Sequence, residues 1–339
     1  MSRAWRCSVV FLLACATAGC GRAPSDPMRG FEGGFDPVRF DAGPLPNVDD
    51  HALGRPLRFI VPPFYASGDA QAGARAFEAM MHELTGLTVE VQSPSAYAYG
   101  EVADALGSGN ADVAEVAPYT YVLLEERGLS IVPLCTTVAH GTTTYGSYLV
   151  VALGSPIERL DQIKGKRLGF VDPLSTSGYL LPAAFLRERG LDLGTDVTAS
   201  FLGSHEAAVE AIIAGTVDVA AISSDLTIGR AGLSGPLRVL AKVGRVPYDV
   251  VVARKDLDPQ VLVVVQAALL RMSIHEPKYR PALGAFSAVD AFMPVPPGHY
   301  DEIRKMARRV MQAPGAPGAP KEQPTARGAR AAVAPKIAP

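Results

Sequence analysis

The stretch DPLSTSGYLLP (172–182) sets Ser175, Thr176 and Ser177 in a row ahead of Gly178, with no Lys or Arg inside it. Small hydroxyls donate and accept hydrogen bonds without carrying charge. At a helix start they would be joined by unpaired backbone N–H groups and the positive end of the helix dipole. Such a cradle suits a tetrahedral oxyanion, including one that keeps a proton. The simpler alternative is a serine that caps a helix and holds nothing. Ser177, His205 and Asp225 also fall in an order conceivable for a hydrolase triad, but no G-x-S-x-G elbow surrounds Ser177. The histidines (His51, His82, His140, His205, His275 and His299) are scattered, and HEAAV at His205 is not H-E-x-x-H, so no metal site is expected. No cofactor is expected either.

The elements around this stretch must place it at a helix start. LGFV (168–171) reads as a strand, and 178–189 as a helix closed by Gly190. Pro182 is tolerated only near a first turn, which puts the helix start close to Ser177–Tyr179. Elsewhere strands and helices alternate: LRFIV (57–61), a helix over 69–86 that stops at Gly86, then LTVEV (87–91). The chain also nearly repeats itself. VADALGSGNADVAEV (102–116) and VEAIIAGTVDVAAI (209–222) both give a helix, a glycine C-cap and then a strand opened by Asp. Two copies predict two α/β lobes of similar build meeting at a crevice, with strand ends and helix N-termini pointing into it.

The chain of 339 residues carries a net charge of −2, with no basic stripe for nucleic acid. Its start, MSRAWRC, is basic; VVFLLACA (9–16) is apolar but too short to span a bilayer. TAGC then ends at Cys20. Small residues before a cysteine after such a run resemble the lipobox of bacterial lipoproteins. That resemblance implies cleavage ahead of Cys20 and lipid on its sulfur; an ordinary signal peptide with a chance cysteine is the alternative. Cys135 would then be the sole remaining thiol, buried and inert in SIVPLC (130–135). The expected organisation is a signal peptide at 1–19, a tether at 20–54, a folded body at 55–312 and a Pro/Ala-rich tail at 313–339 without a core.

VDPLSTSGYLLP followed by FLGSHEAAVEAIIAGTVDVAA (201–221) resembles the phosphate, phosphite and phosphonate-binding proteins of ABC importers. The resemblance runs from about Leu57 to Asp258. It implies a two-lobed, type II-like periplasmic binding protein: two parallel-rich α/β lobes, 55–146 with 250–312 and 147–249, joined by hinge strands near 145–151 and 245–251. It assigns Ser175, Thr176, Ser177 and Gly178 to a phosphonyl cradle and His205 to the phosphonyl oxygens. Tyr99, Tyr145 and Tyr121 match tyrosines of the cleft or its turn; ordinary core packing is the alternative. Asp225 in AISSDL and Asp249 in VPYDVVV fall where aminoethylphosphonate binders carry acids for the ligand's ammonium; solvated loop acids are the alternative. Glu115 departs from the family, which has an aromatic or small apolar residue there. The implied protein is a monomeric, non-enzymatic solute receptor, lipid-anchored outside the cytoplasm. It would take an aminoalkylphosphonate, or phosphite or phosphate, and deliver it to an inner-membrane ABC permease. A receptor that signals ligand status to a membrane kinase is the second expectation, and a serine hydrolase the third.

Overall fold

The computed structural model describes residues 45, 53–61, 70–92, 99–224, 236–286 and 288–312. The expected signal, Cys20, Asp225, the tail and all of the tether but residues 45, 53 and 54 lie outside the described residues. The first sheet, in order β11-β4-β10-β3-β1-β2, is built from β1 (Leu57–Ile60), β2 (Val89–Gln92), β3 (Val113–Val116), β4 (Ile131–Ala139), β10 (Val250–Arg254) and β11 (Val289–Met293). The second, in order β7-β6-β8-β5-β9, takes β5 (Thr144–Ala152), β6 (Arg167–Phe170), β7 (Thr198–Phe201), β8 (Val219–Ser223) and β9 (Leu237–Pro247). Both sheets are mixed. Parallel pairing is confined to β2-β1-β3 and β7-β6-β8; the strands that carry the chain between sheets, and β11, pair antiparallel.

The near-repeat in the sequence is a repeat in space. Helix α2 (Tyr99–Ser108) leads through Gly109 to β3, and α5 (His205–Ile213) leads through Gly215 to β8. Both glycines sit at positive φ, +74° and +67°, where a side chain would be strained. The aspartates that follow do the same work. Asp112 accepts from the Arg58 backbone N–H at 2.9 Å, and Asp218 from that of Arg167 at 2.9 Å. Each also takes the guanidinium of that arginine. The next residues pair in equivalent registers, Phe59 with Val113 and Leu168 with Val219.

Two more helices flank the first sheet, α1 (Ala70–Thr85) and α6 (Pro259–Arg271), with the short α7 (Arg280–Leu283) beside α1. Phe59, Phe77, Phe286 and Phe292 meet edge to face beneath them. In the second lobe Phe170, Tyr179 and Phe201 form the corresponding aromatic core. The chain crosses between sheets at 140–143 and again at Tyr248–Asp249, so β5 lies wholly in the second sheet from Thr144 onward. Helix α8 (Asp301–Met311) packs on α3 (Pro118–Glu126) of the first lobe and on α4 (Leu181–Arg187) of the second. Arg304 and Arg308 pair with Glu125 and Glu126 on one side, and Arg309 with Glu188 on the other.

The helix after β6 does not begin as expected. Residues Thr176–Leu180 form a π-turn before α4. Proline explains it. In an α-helix the Gly178 carbonyl would take the N–H of residue 182, and Pro182 has none. That carbonyl instead accepts from Val171 N–H at 3.1 Å, while Leu180 N–H reaches back to Ser175 O at 3.0 Å.

Candidate functional site

The strand β6 ends at Phe170, and Asp172 shapes the turn that follows. Its carboxylate accepts from Leu174 N–H at 2.7 Å and its carbonyl from Ser175 N–H at 3.0 Å. Ser175 then caps the π-turn, its Oγ accepting from Gly178 N–H at 3.0 Å. Gly178 admits no side chain: a Cβ there would collide with Val171 and lie 2.9 Å from Ser175 Oγ. The serines and threonine are thus held with their hydroxyls at a helix start.

The opposite lobe closes onto them. Pro118 starts α3 without an N–H, and the next amide, Tyr119 N–H, donates to Thr176 Oγ1 at 2.9 Å. Thr120 Oγ1 donates to Leu174 O at 3.2 Å. Tyr99, at the head of α2, hydrogen-bonds Ser175; burial pushes its phenol up and this bond pulls it back. Ser175, Thr176 and Ser177 are all buried as a result.

Ser177 gathers the remaining donors. Tyr145 OH donates to Ser177 Oγ at 3.3 Å, and His205 Nε2 lies 3.5 Å from it. Ser147 Oγ donates to the Ser177 carbonyl at 2.7 Å. The His205 tautomer follows from its other nitrogen, because Nδ1 accepts from Ser223 N–H at 3.1 Å. Nε2 therefore carries the proton and points it at Ser177. Burial lowers the imidazole to about 4, so it is neutral at pH 7. A hydrolase triad needs the reverse, Nδ1–H held by a carboxylate and Nε2 free to take the serine proton. His205 is set as a donor, not as a base.

The acids sit on the first-lobe side. Asp249 lies at the second crossing, its carbonyl accepting from Thr137 N–H at 2.9 Å, and its carboxyl acts electrostatically on Tyr99. Glu115 on β3 is 2 % exposed, and burial, then Asp249, push its carboxyl well above the usual range. Tyr145 tilts against Tyr248 with ring centroids 5.0 Å apart, which places an aromatic wall at the crossing.

Of the residues expected from sequence, Ser175, Thr176, Ser177, Gly178, His205, Tyr99 and Tyr145 converge on one place. Asp249 joins them through Tyr99. Tyr121 stands apart: its hydroxyl donates to Glu125 at 2.6 Å, with Arg304 over the ring, on the side of α3 turned to α8. Three contributors were not anticipated: the Tyr119 amide, Ser147, and the Ser223 amide that orients His205. The Ala117–Pro118 pair was the one available signal for the first, since Pro is favoured at a helix start. Among the described residues no group of His, Cys, Asp and Glu could hold a metal. None of their helices is long and apolar enough to cross a membrane.

The family model described as "ABC transporter, phosphonate, periplasmic substrate-binding protein" matches residues 59–300. The Phosphate-import protein PhnD of Mycolicibacterium smegmatis is 30% identical over 212 residues, 58% of this chain and 65% of the relative. The Phosphonates-binding periplasmic protein of Escherichia coli is 28% identical over 180 residues, 50% of this chain and 53% of the relative. The chain thus spans between about half and two thirds of the length of these relatives. In fold it is similar to a binding protein component of an ABC phosphonate transporter from Pseudomonas aeruginosa, with a TM-score of 0.66 at 21% identity. That similarity covers 77% of this chain and 90% of the other. Spanning both lobes from β1 to the start of α8, the match places this chain in the family of periplasmic phosphonate-binding proteins of ABC transporters.

Proposed function

We propose that this chain is an extracytoplasmic receptor that closes on a phosphonate-type ligand, an aminoalkylphosphonate in preference to phosphite or phosphate, and hands it to an ABC permease in the inner membrane. The observation that carries this reading is the pairing of a neutral donor cradle with buried acid. Ser177 Oγ, Tyr145 OH and His205 Nε2 meet within 3.5 Å, and none of them is cationic. Asp249 acts electrostatically on Tyr99, which hydrogen-bonds Ser175, and on the buried Glu115.

A charge argument selects the ligand. Two unit charges 4 Å apart are worth about 4 kcal/mol at an effective dielectric constant of about 20. A bare dianion beside a carboxylate is opposed by an energy of that order, whereas a ligand with an ammonium at its far end turns the same term favourable. The phosphonyl head belongs at Ser175–Ser177 and the ammonium toward Asp249, with Asp225 as the second carboxylate for it.

Closure supplies the mechanism. The Tyr119–Thr176, Thr120–Leu174 and Tyr99–Ser175 hydrogen bonds all run between lobes. Ligand bound to both lobes favours the closed state, and the crossings at 140–143 and Tyr248–Asp249 absorb the movement. Lipid on Cys20 would hold this receptor, working as a monomer, at the membrane beside its permease. Selectivity then comes from matching donors and acceptors, since an unmatched buried group costs roughly 1–3 kcal/mol.

Titration calorimetry of the chain with 2-aminoethylphosphonate, methylphosphonate, phosphite and phosphate tests this reading. The expected order places 2-aminoethylphosphonate first. Phosphate binding as tightly or more tightly overturns the choice of ligand, and no binding by any of the four overturns the receptor reading.

A further inference from the structure

The two copies of the repeat differ in how many arginines they gather. Among the described residues Asp218 bridges its strands with one guanidinium, that of Arg167 at 2.6 Å. Asp112 does the same work with three: Arg55 at 2.6 and 2.8 Å, Arg58 at 3.4 Å and Arg254 at 3.8 Å. The glycines differ to match. A Cβ at Gly215 would meet nothing within 4 Å, whereas one at Gly109 would lie 2.5 Å from Arg254 Nη1. Gly109 thus leaves room for a guanidinium that the second lobe manages without.

Arg55, Arg58 and Arg254 line a hollow of about 360 Å³ together with Ser108 and Ser130. Helix α2 separates it from the cleft. Tyr99, which meets Ser175, opens the helix, and Gly109 follows its last residue, about 15 Å away at 1.5 Å per residue. The charges in the hollow do not balance, since three guanidiniums face two carboxylates, Asp112 and Asp256. Asp112 is buried beneath the arginines. Asp256 takes Nε and Nη2 of Arg254 and so fixes its plane. Among the described residues Arg254 Nη1 then has no acceptor within hydrogen-bond distance, Asp112 standing 3.8 Å off. Arg55 gives its two terminal nitrogens to Asp112 and makes no bond through Nε.

We propose that this hollow is an anion site separate from the cleft, which takes a phosphate group between Arg55, Arg58 and Arg254. Guanidiniums present planar, paired donors that match phosphate oxygens, and carboxylates already hold these three in place. The anion supplies the charge that Asp112 and Asp256 leave unmatched. Inorganic phosphate and a phospholipid headgroup offer the same chemistry, and the test separates them. The site does not depend on what the cleft binds.

The test uses the full chain with Cys20→Ala, so that no attached lipid obscures the vesicle arm, and the same chain with Arg55→Gln and Arg254→Gln. That variant keeps Arg58 on Asp112, the arrangement that suffices at Asp218, and should unfold near the parent temperature. Arg254→Gln alone serves if the double variant does not fold. In the first arm the arginine Nε–Hε NMR signals are followed on adding inorganic phosphate, with chloride at matched ionic strength as the control. Arg55 and Arg254 should shift saturably with phosphate and not with chloride, and the Arg58 signal should report a phosphate affinity weaker by about tenfold or more in the variant. In the second arm the chain is sedimented with vesicles of phosphatidylcholine, with and without phosphatidylglycerol. Binding to the phosphatidylglycerol vesicles that the variant loses assigns the phosphate to a lipid headgroup. Phosphate shifts without such binding assign it to the free ion. The proposal is overturned if neither arm shows arginine-dependent binding, or if the variant keeps its affinity within about twofold in both.

Discussion

Replacing Thr176 by valine removes one oxygen from the lobe interface and leaves the side-chain shape nearly unchanged. In the closed form Thr176 Oγ1 accepts the Tyr119 N–H at 2.9 Å, and both residues are buried. Without that oxygen the amide is closed over with no acceptor, a loss of about 1–3 kcal/mol. In an open form water reaches the same amide and the loss disappears. Closure is linked to binding, so the whole difference should appear in affinity: a Kd weaker by about 5- to 150-fold for 2-aminoethylphosphonate. The unfolding temperature without ligand should stay near that of the wild type. Thr176→Ser keeps the acceptor and should recover most of the affinity. Titration calorimetry with thermal unfolding in the absence of ligand reads both quantities. A Thr176→Val protein that binds within about twofold of wild type would refute the link between this cross-lobe bond and closure. So would one whose unfolding temperature falls as far without ligand as with it.

The other consequences concern stability, pH and anchoring. Gly178→Ala drives a methyl group into Val171 and should destabilise the chain by about 1–3 kcal/mol in urea unfolding; an unchanged midpoint would contradict the packing at the π-turn. His205 is lowered by burial from 6.5 to about 4, so the unfolded chain takes up its proton first as the solution is acidified. Its contribution is complete above about pH 6.5 and is lost as pH falls through about 4, on the order of 3 kcal/mol in all. His205→Gln should flatten that part of the stability profile, leaving the similar slope from His299, which burial also lowers to about 4. Cys20→Ala should move the protein from the membrane fraction to the soluble one, and its persistence with membranes would rule out the lipid anchor.

Features whose cause is local could be read from the sequence. Each copy of the G-x-[AV]-D-V-A repeat holds a glycine at positive φ and an aspartate that reaches the neighbouring parallel strand, so a linear pattern encoded the same register in both lobes. The hydroxyl run before Gly178 was legible for a similar reason: Ser175 acts on its own turn. The π-turn was hidden because it depends on the Gly178 carbonyl finding Val171 across the turn instead of a partner in the helix. Backbone donors leave no mark on composition: the Ser223 amide had no signature of its own, and the Tyr119 amide had only the proline before it. Tyr121 shows the opposite difficulty. Its place in the chain matches a cleft turn, but its hydroxyl is claimed by Glu125 one turn away and its ring by Arg304 from a distant helix. Glu115 stood out as a departure in type; its place opposite Val251 follows from β10 pairing antiparallel to β3, which could not be read from the linear pattern.

The central claim is that a phosphonyl group is held by neutral donors at the head of the π-turn while an ammonium points to the acids. A structure of the chain with 2-aminoethylphosphonate bound tests it most directly. The phosphonyl oxygens should lie within hydrogen-bond distance of Ser177 Oγ, Tyr145 OH and His205 Nε2, with the amine toward Asp249. A ligand bound with its amine at Ser175–Ser177, or bound away from both, would contradict the account.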